Sequence, residues 1–592
     1  VFFVISGFLM TKIIFTGIDG NKFSILKFYA ARCRRIIPAL VVLCAALMAF
    51  GWFNLAPFEY QKLSYNSLSS IFFISNIAYW ADSSYFSTDS ASNWLLHTWS
   101  LSVEWQFYLL YPLIIAGISK ISSRDVAAKT LCLLFVSSIG LSSWLAYAYP
   151  TSAFYLLPSR AWEMIAGGLV FLFPVVATMR TRKAMLYSGV ITIILSFVFM
   201  NESLSWPGVW AAIPVVGACL ILSSSIYDNF ITGNWLFQRI GDSSYSIYLW
   251  HWPFVVFLFN KFLLDNAWYL SSGILLSFIF GYSSFKFVEG KAKKAKLTHT
   301  FLTSISVAIL LTLIYRTHGA DVAFREIAKD AKANYPTMYS RDNYYNKNVY
   351  KPYMEDCNYY DAVKSKAKES VPEYCNKVKG TGGIVIWGDS HSQALGVGIR
   401  KEYANIPVYQ VASSACRPGL KMDWRVKGEV KKACENALSA AMELIGKVKP
   451  DIVIMAQVAK HEENDYPAIE KKLKSLGAKS VIAVGPVPQY MTALPVVIAD
   501  RHWDKGEVRF SDPALVKHVM DTDKIMLGKH MDDGYIRYVS LIEKLCSGDV
   551  CLAKVDDDNT PLVWDYGHMT IKGSELVTDT ILKPVIDRAQ KK

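Results

Sequence analysis

No two of the ten cysteines stand in a CxxC pair, so the spacing typical of structural zinc is missing. No complete EF-hand loop occurs either, and Asp556-Asp557-Asp558-Asn559 reads as a solvated turn. No metal is expected. Basic residues are plentiful, with a net charge of +13, yet they do not gather into the single patch that nucleic acid favours. They sit between apolar segments instead: Lys22, Lys27, Arg32, Arg34 and Arg35; Arg180, Arg182 and Lys183; Lys291, Lys293, Lys294 and Lys296. That placement is the positive-inside signature of cytoplasmic loops, and it argues against a nucleic-acid partner. Neither a methionine nor a signal peptide opens the chain, which starts inside the apolar run Val1–Leu9 and reads as a fragment that has lost its first segment.

What is present is unevenly spread. A hydrophobic content of 52% is high for a soluble protein, and long apolar runs fill residues 1–316 while the remainder is mixed and charged. A membrane half joined to a soluble half follows, with a membrane domain over 1–318, a polar tyrosine-rich linker over 319–380 and a soluble domain over 381–592. Ten crossings are expected, at about 1–17, 36–55, 103–119, 130–147, 160–178, 184–200, 209–226, 246–262, 269–288 and 300–316. The run 67–80 is read as dipping into the membrane or lying on it, because all three basic clusters then fall on one side. Parity puts the soluble domain outside the inner membrane, in the periplasm. The cysteines point the same way. Cys33, Cys44, Cys132 and Cys219 lie in the membrane half, whereas six lie in the soluble half. Their spacing suits disulfides Cys357–Cys375, Cys416–Cys434 and Cys546–Cys551, one of fifteen possible pairings, in an oxidising compartment.

The soluble half alternates short apolar runs (GIVIW at 383–387, Ile452–Ala456, Val481–Val484) with an amphipathic stretch around Glu429–Ile445. That pattern predicts a three-layer α/β domain with its ligand at the carboxyl ends of parallel strands. The first run enters Gly388-Asp389-Ser390-His391 and then a predicted helix, so Ser390 is presented at a strand end beside unpaired helix N–H groups. Asp565-Tyr566-Gly567-His568, near the C-terminus, supplies what a serine nucleophile lacks: His568 as base and Asp565 to orient it. His391 is read as structural rather than basic.

GDSH followed about one domain later by D-x-x-H resembles the SGNH (GDSL-like) esterases and acyltransferases. That resemblance implies an oxyanion site at the Ser390 amide with Gly419, in Cys416-Arg417-Pro418-Gly419, as second donor. The asparagine of the superfamily's third motif is not visible after Ile452–Ala456; Gln457, His461 or Asn464 could substitute. The membrane half carries VFFVISGFL, RRIIPAL (34–40), WSLSVEWQFY (99–108) and SYSIYLWHWP (244–253), and these resemble the acyltransferase-3 membrane family. Together the halves resemble the fused enzymes that O-acetylate bacterial surface polysaccharides.

The family's first helix carries an arginine and a histidine proposed to be essential for acyl handling, and both would precede residue 1. With that helix the ten crossings become eleven. The resemblance implies acetyl-CoA as donor, with its phosphates on Arg32, Arg34 and Arg35, against the bland reading that these arginines only set topology. A membrane site would use Glu104, Arg160 and Glu163, since charge within a bilayer is retained mainly along a pathway or in a pair; Arg160 and Glu163 could equally pair with each other. His97 lies at an outer helix end, and His251 reads as an interface residue. The implied partners are inner-membrane lipids and a periplasmic lipid-linked glycan, with lipopolysaccharide O-antigen as acceptor. A membrane-anchored esterase and a non-catalytic glycan-binding protein are the other readings. The rings of Tyr335, Tyr339, Tyr344, Tyr345, Tyr350, Tyr353, Tyr359 and Tyr360 are expected to pack against the adjoining domain rather than to stack on sugars.

Overall fold

The computed structural model describes residues 1–592 except 83–91, 122, 201–205, 227–228, 231–232, 293–294, 321–324, 326–329, 363, 424, 504–505, 534–536 and 592. Lys293 and Lys294 of the third basic cluster therefore lie outside the described residues. The chain divides after residue 325 into two compact units.

Among the described residues, the regular elements of the first unit are all helices. Seven helices among the described residues are long and apolar enough to cross a membrane: Phe2–Asp19, Ile25–Asn54, Thr98–Lys120, Arg124–Ala148, Met179–Phe199, Ala267–Ala292 and Leu297–Arg316. Seven of the ten expected crossings coincide with these helices. The other three segments are helical but fall short, each for a reason of length or polarity. Leu157–Leu172 has 16 residues and Ala212–Ser224 has 13, below the ~20 that span a hydrocarbon core. Trp235–Asn260 is long enough, but Gln238, Arg239, Asp242, Ser243, Ser244 and Ser246 dilute its apolar character. The run at 67–80 is broken between Pro57–Ile71 and Ser75–Asp82, and neither piece is long enough to cross.

Glycine lets two of these helices touch backbone to backbone. A Cβ on Gly7 would come within 1.8 Å of the Met164 carbonyl oxygen, and one on Gly167 within 1.9 Å of that of Val4. Helices Phe2–Asp19 and Leu157–Leu172 therefore meet through small residues, the usual route to close packing where lipid supplies no hydrophobic drive.

The second unit is built on a five-stranded parallel sheet. Its strands are β1 (Ile384–Gly388), β2 (Val408–Ala412), β3 (Ile452–Ala456), β4 (Ser480–Val484) and β5 (Arg537–Val539), in spatial order β2-β1-β3-β4-β5. β1 and β3 are buried along their whole length, as strands covered on both faces must be, which is why they read as unbroken apolar runs. Val385, Trp387, Val453 and Met455 share one core with Ala437, Ala441 and Leu444 of the helix Gly428–Val448. The strand order reverses direction beside β1, and in such sheets the crevice at that point takes the ligand. Three disulfides hold the loops: Cys357–Cys375, Cys416–Cys434 and Cys546–Cys551.

The tyrosine-rich segment has structure of its own. It contains the helix Ala331–Met338, a π-helical stretch Arg341–Val349 and the hairpin Tyr360–Asp361 with Lys366–Ala367. Tyr335, Tyr345, Tyr353 and Tyr359 are buried. Tyr353 donates to the Met569 carbonyl at 2.5 Å, Tyr335 to that of Asn559 at 2.5 Å, and the Tyr345 ring lies 5.5 Å from Trp564. The rings thus brace the chain on both sides of Asp565-Tyr566-Gly567-His568.

Candidate active site

The turn that leads into Ser390 is made by Gly388 and Asp389. A Cβ at Gly388 would fall 1.9 Å from the Ala456 carbonyl oxygen, so only glycine lets β1 end this close to β3. Asp389 then caps helix α1 (Ser390–Glu402). Its Oδ1 accepts the His391 N–H at 2.8 Å, and its Oδ2 accepts the Val458 N–H at 2.8 Å. One carboxylate therefore ties the turn after β1 to the chain leaving β3. Burial pushes Asp389 up to about 6 despite those two donors.

Ser390 opens α1, and across the sequence His568 meets it: imidazole Nε2 and Ser390 Oγ are 2.8 Å apart. Behind the ring, Nδ1 lies 2.7 Å from Asp565 Oδ2, while Asp565 Oδ1 accepts the N–H groups of Gly567 at 2.9 Å and His568 at 2.7 Å. All three side chains are buried, at 1%, 0% and 5% exposure for Ser390, His568 and Asp565, so their hydrogen bonds lie in a low dielectric. Burial opposes a charge on His568, but the Asp565 carboxylate and its hydrogen bond, with Asp389 and Glu355 further off, outweigh it and raise the imidazole above its ordinary value.

The spacing between serine and histidine is set by two helices. Helix α2 (Ile571–Val577) follows directly after His568, and its Ser574 Oγ accepts the Gly398 N–H at 2.9 Å and donates to the Leu395 carbonyl at 3.0 Å. α1 and α2 are locked together by one hydroxyl.

Of the suggested oxyanion residues, Gly419 lies in the loop beyond β2. A Cβ built on it would meet only the Lys421 carbonyl oxygen, at 3.6 Å, so the side of Gly419 that a side chain would occupy is open. Gln457 directly follows β3; its amide Nε2 donates to Ala459 O at 2.6 Å and its Oε1 accepts from Asn464 at 2.7 Å. His461 bonds the Gln457 carbonyl at 3.1 Å and the Tyr466 hydroxyl at 3.0 Å. These three residues brace one another at the sheet's carboxyl edge. Asp556, expected in a solvated turn, accepts from Thr560 and pairs with Lys572 at 2.7 Å.

In the helical unit the proposed acyl residues fall into three groups. Arg32, Arg34 and Arg35 line a cavity of about 490 Å³ together with Asp242 and Glu289. Among the described residues, Arg32 Nε and Arg34 Nε are buried without a hydrogen-bond partner. Arg160 and Glu163 pair at 3.1 Å, both buried, with the guanidinium near the rings of Phe3, Trp99 and Phe154. Glu104 accepts from the Tyr108 hydroxyl, which also meets Ser6 Oγ at 2.6 Å. His97 and His251 meet edge to face, with ring centroids 5.6 Å apart.

Comparison with known families decides what these two units are. Residues 1–286 match the family described as an acyltransferase domain, and residues 356–583 match the SGNH domain fused to AT3 domains. The chain is an acyltransferase domain fused to an SGNH domain. It is 28% identical over 321 residues to the peptidoglycan O-acetyltransferase OatA of Listeria monocytogenes, covering 50% of each chain. It is 26% identical over 314 residues to the O-acetyltransferase OatA of Staphylococcus aureus, covering 50% of this chain and 52% of that one. The chain thus spans about half the length of these curated relatives. A solved structure, the periplasmic domain of a lipopolysaccharide acetyltransferase from Salmonella ser. Paratyphi A, is 22% identical, covers 40% of this chain and 97% of its own, and has a TM-score of 0.31.

Within the SGNH unit, several residues that no motif announced support the triad. Asn358 joins Glu355 Oε1 (2.9 Å), Gln393 Oε1 (3.2 Å) and Ser414 Oγ (2.7 Å), and its own oxygen accepts the Ser414 N–H at 3.0 Å. Burial pushes Glu355 in this network up to about 7, although Asn358 and Tyr345 pull it down. Gln489 donates to the Val458 carbonyl at 2.6 Å. The sequence signal available for Asn358 is its neighbour Cys357, whose disulfide pins the segment.

Proposed function

We propose that the chain is part of a membrane O-acyltransferase that moves an acetyl group from cytoplasmic acetyl-CoA to a hydroxyl of a cell-surface glycan. The reading rests chiefly on one observation, the Asp565–His568–Ser390 chain of hydrogen bonds at 2.7 and 2.8 Å. Ser390 Oγ attacks the acetyl carbonyl while His568 Nε2 takes its proton. The tetrahedral oxyanion faces the first turn of α1, with the Ser390 amide as donor and Gly419 as the candidate second. The donor group leaves with the proton, and Ser390 carries the acetyl as an ester. His568 then deprotonates the glycan hydroxyl, which attacks that ester, and the proton returns to Ser390 as the acetylated sugar departs.

The acyltransferase unit would load the serine from the other side of the membrane. Its cavity, lined by Arg32, Arg34 and Arg35, with Arg32 Nε and Arg34 Nε lacking a hydrogen-bond partner among the described residues, suits the phosphates of the coenzyme. Glu104 and the Arg160–Glu163 pair would line the acyl path. Three disulfides among the described residues of the SGNH unit favour an oxidising compartment, the periplasm, with the helical unit in the inner membrane. Lipopolysaccharide O-antigen is the acceptor we favour, although the Listeria relative is named for peptidoglycan.

Substitution Ser390→Ala in the complete protein tests the reading, with surface glycan from expressing cells analysed by mass spectrometry. Acetylation disappears if Ser390 transfers the group. It rises if the unit removes acetyl groups as an esterase, and an unchanged level refutes catalysis by Ser390.

A further inference from the structure

Resting on the triad reading, we propose that His391, the residue after the nucleophile, is a positioning residue that holds the imidazole of His568 by stacking against its face. The two rings lie 4.3 Å apart at 32°, and His391 is 6% exposed. Its backbone is fixed by the bond to Asp389 Oδ1, and its Nε2 lies 3.3 Å from the Tyr566 hydroxyl. Tyr566 in turn meets His568 edge-on at 5.4 Å. The catalytic ring is therefore bounded on one face by an imidazole and on an edge by a phenol, both from within the two motifs themselves.

Gly567 makes room for this arrangement. A Cβ there would stand 3.0 Å from His391 Cε1 and 3.0 Å from Gln489 Cγ, so either neighbour would have to give way by a few tenths of an ångström. The glycine of Asp-x-x-His is thus the gap through which the histidine of GDSH reaches its partner.

The chemistry asks for a partner of this kind. His568 becomes imidazolium each time it takes the serine or sugar proton, and the face of a neutral ring attracts a cation. A second imidazolium at the same distance would repel it. Burial, and the charge of His568 itself, hold His391 well below its ordinary value, so that it stays neutral when its neighbour protonates. A ring that sets orientation also keeps Nε2 on the line to Ser390 Oγ, where a misplacement of about 1 Å costs about 100-fold in rate.

The test uses the full-length chain in detergent with 4-nitrophenyl acetate as acyl donor, measuring kcat and KM separately and checking thermal stability of each variant. His391→Ala is expected to lower kcat by about ten-fold or more with KM changed less than about two-fold, and His391→Phe, which restores a neutral ring face, to recover kcat to within about three-fold of the parent. Gly567→Ala, which displaces the ring without removing it, is expected to lower kcat as His391→Ala does, and it serves where His391→Ala does not fold. Parent-like kcat in His391→Ala or Gly567→Ala overturns the inference, and so does a His391→Phe as slow as His391→Ala. Ser390→Ala is run beside them. If it retains full turnover, the triad reading itself fails; if it is inactive while His391→Ala is not, only the role of His391 does.

Discussion

Replacing Asp565 with asparagine changes two atoms' chemistry and almost no volume. In the parent, Oδ1 accepts two backbone N–H groups while Oδ2 faces His568 Nδ1. An amide oriented to satisfy the backbone donors keeps its oxygen at the Oδ1 position, because its NH2 cannot accept from Gly567 and His568. The NH2 then points at Nδ1, which must become an acceptor, and the imidazole proton moves to Nε2. Ser390 now meets a donor where it needs a base. In triads of this geometry the same tautomer reversal costs about 10⁴-fold in kcat, equivalent to roughly 5 kcal/mol of transition-state stabilisation. The loss should appear in the turnover of 4-nitrophenyl acetate by the full-length chain and in glycan acetylation by cells, with thermal stability close to the parent because both backbone bonds survive. A variant that keeps more than about a tenth of the parent kcat would refute the assignment of Asp565 as orienter.

Three other outcomes follow from the same geometry. His568 must be neutral to accept a proton and its value is raised, so the acid limb of the kcat profile should lie above the ordinary histidine value of about 6.5, and rate should fall as pH drops through it. Glu355 is raised to about 7, which means that the fold favours its protonated form; the stability this gives is present at pH 4 and lost as pH rises through 7. Glu355→Gln should therefore match the parent in thermal melts at pH 5 and exceed it at pH 8, by an amount on the order of 3 kcal/mol; no gain at pH 8 would sink the argument. Loop-closure entropy predicts about 3 kcal/mol lost on removing Cys357–Cys375 or Cys416–Cys434, each with a separation of 18, and about 2 for Cys546–Cys551, with a separation of 5. Denaturant titration of the paired serine variants ranks them.

The α/β sheet and the triad were legible because each leaves a short-range imprint. Strands buried on both faces read as unbroken apolar runs, and Gly388-Asp389-Ser390 and Asp565-x-x-His568 carry their chemistry within four residues or fewer. The bounds of the membrane-half helices were less legible. Leu157–Leu172 and Ala212–Ser224 begin only at Leu156 and Ala211, their N-caps, and Trp235–Asn260 opens at Asn234 with a polar first half, boundaries that window hydrophobicity does not see. Asn358 and Glu355 were invisible for another reason. They lie far from either motif in sequence, and their value depends on a hydrogen-bond network that exists only after Ser414 and Gln393 have been brought beside them. His391 was visible as a residue but not as a partner of His568, because the face it presents is decided by the register of a loop 177 positions away.

The lock between α1 and α2 has a bearing on when the chemistry becomes possible. Nucleophile and base are 178 residues apart, and the base arrives only with the stretch that carries Ser574. A growing chain that has already emerged past its serine is still inert, since nothing draws the alcohol's proton until the last helices dock. Under the proposed function the unit becomes active only on the completion of its own folding, and a chain cut upstream of Asp565 lacks the base that acetyl transfer needs.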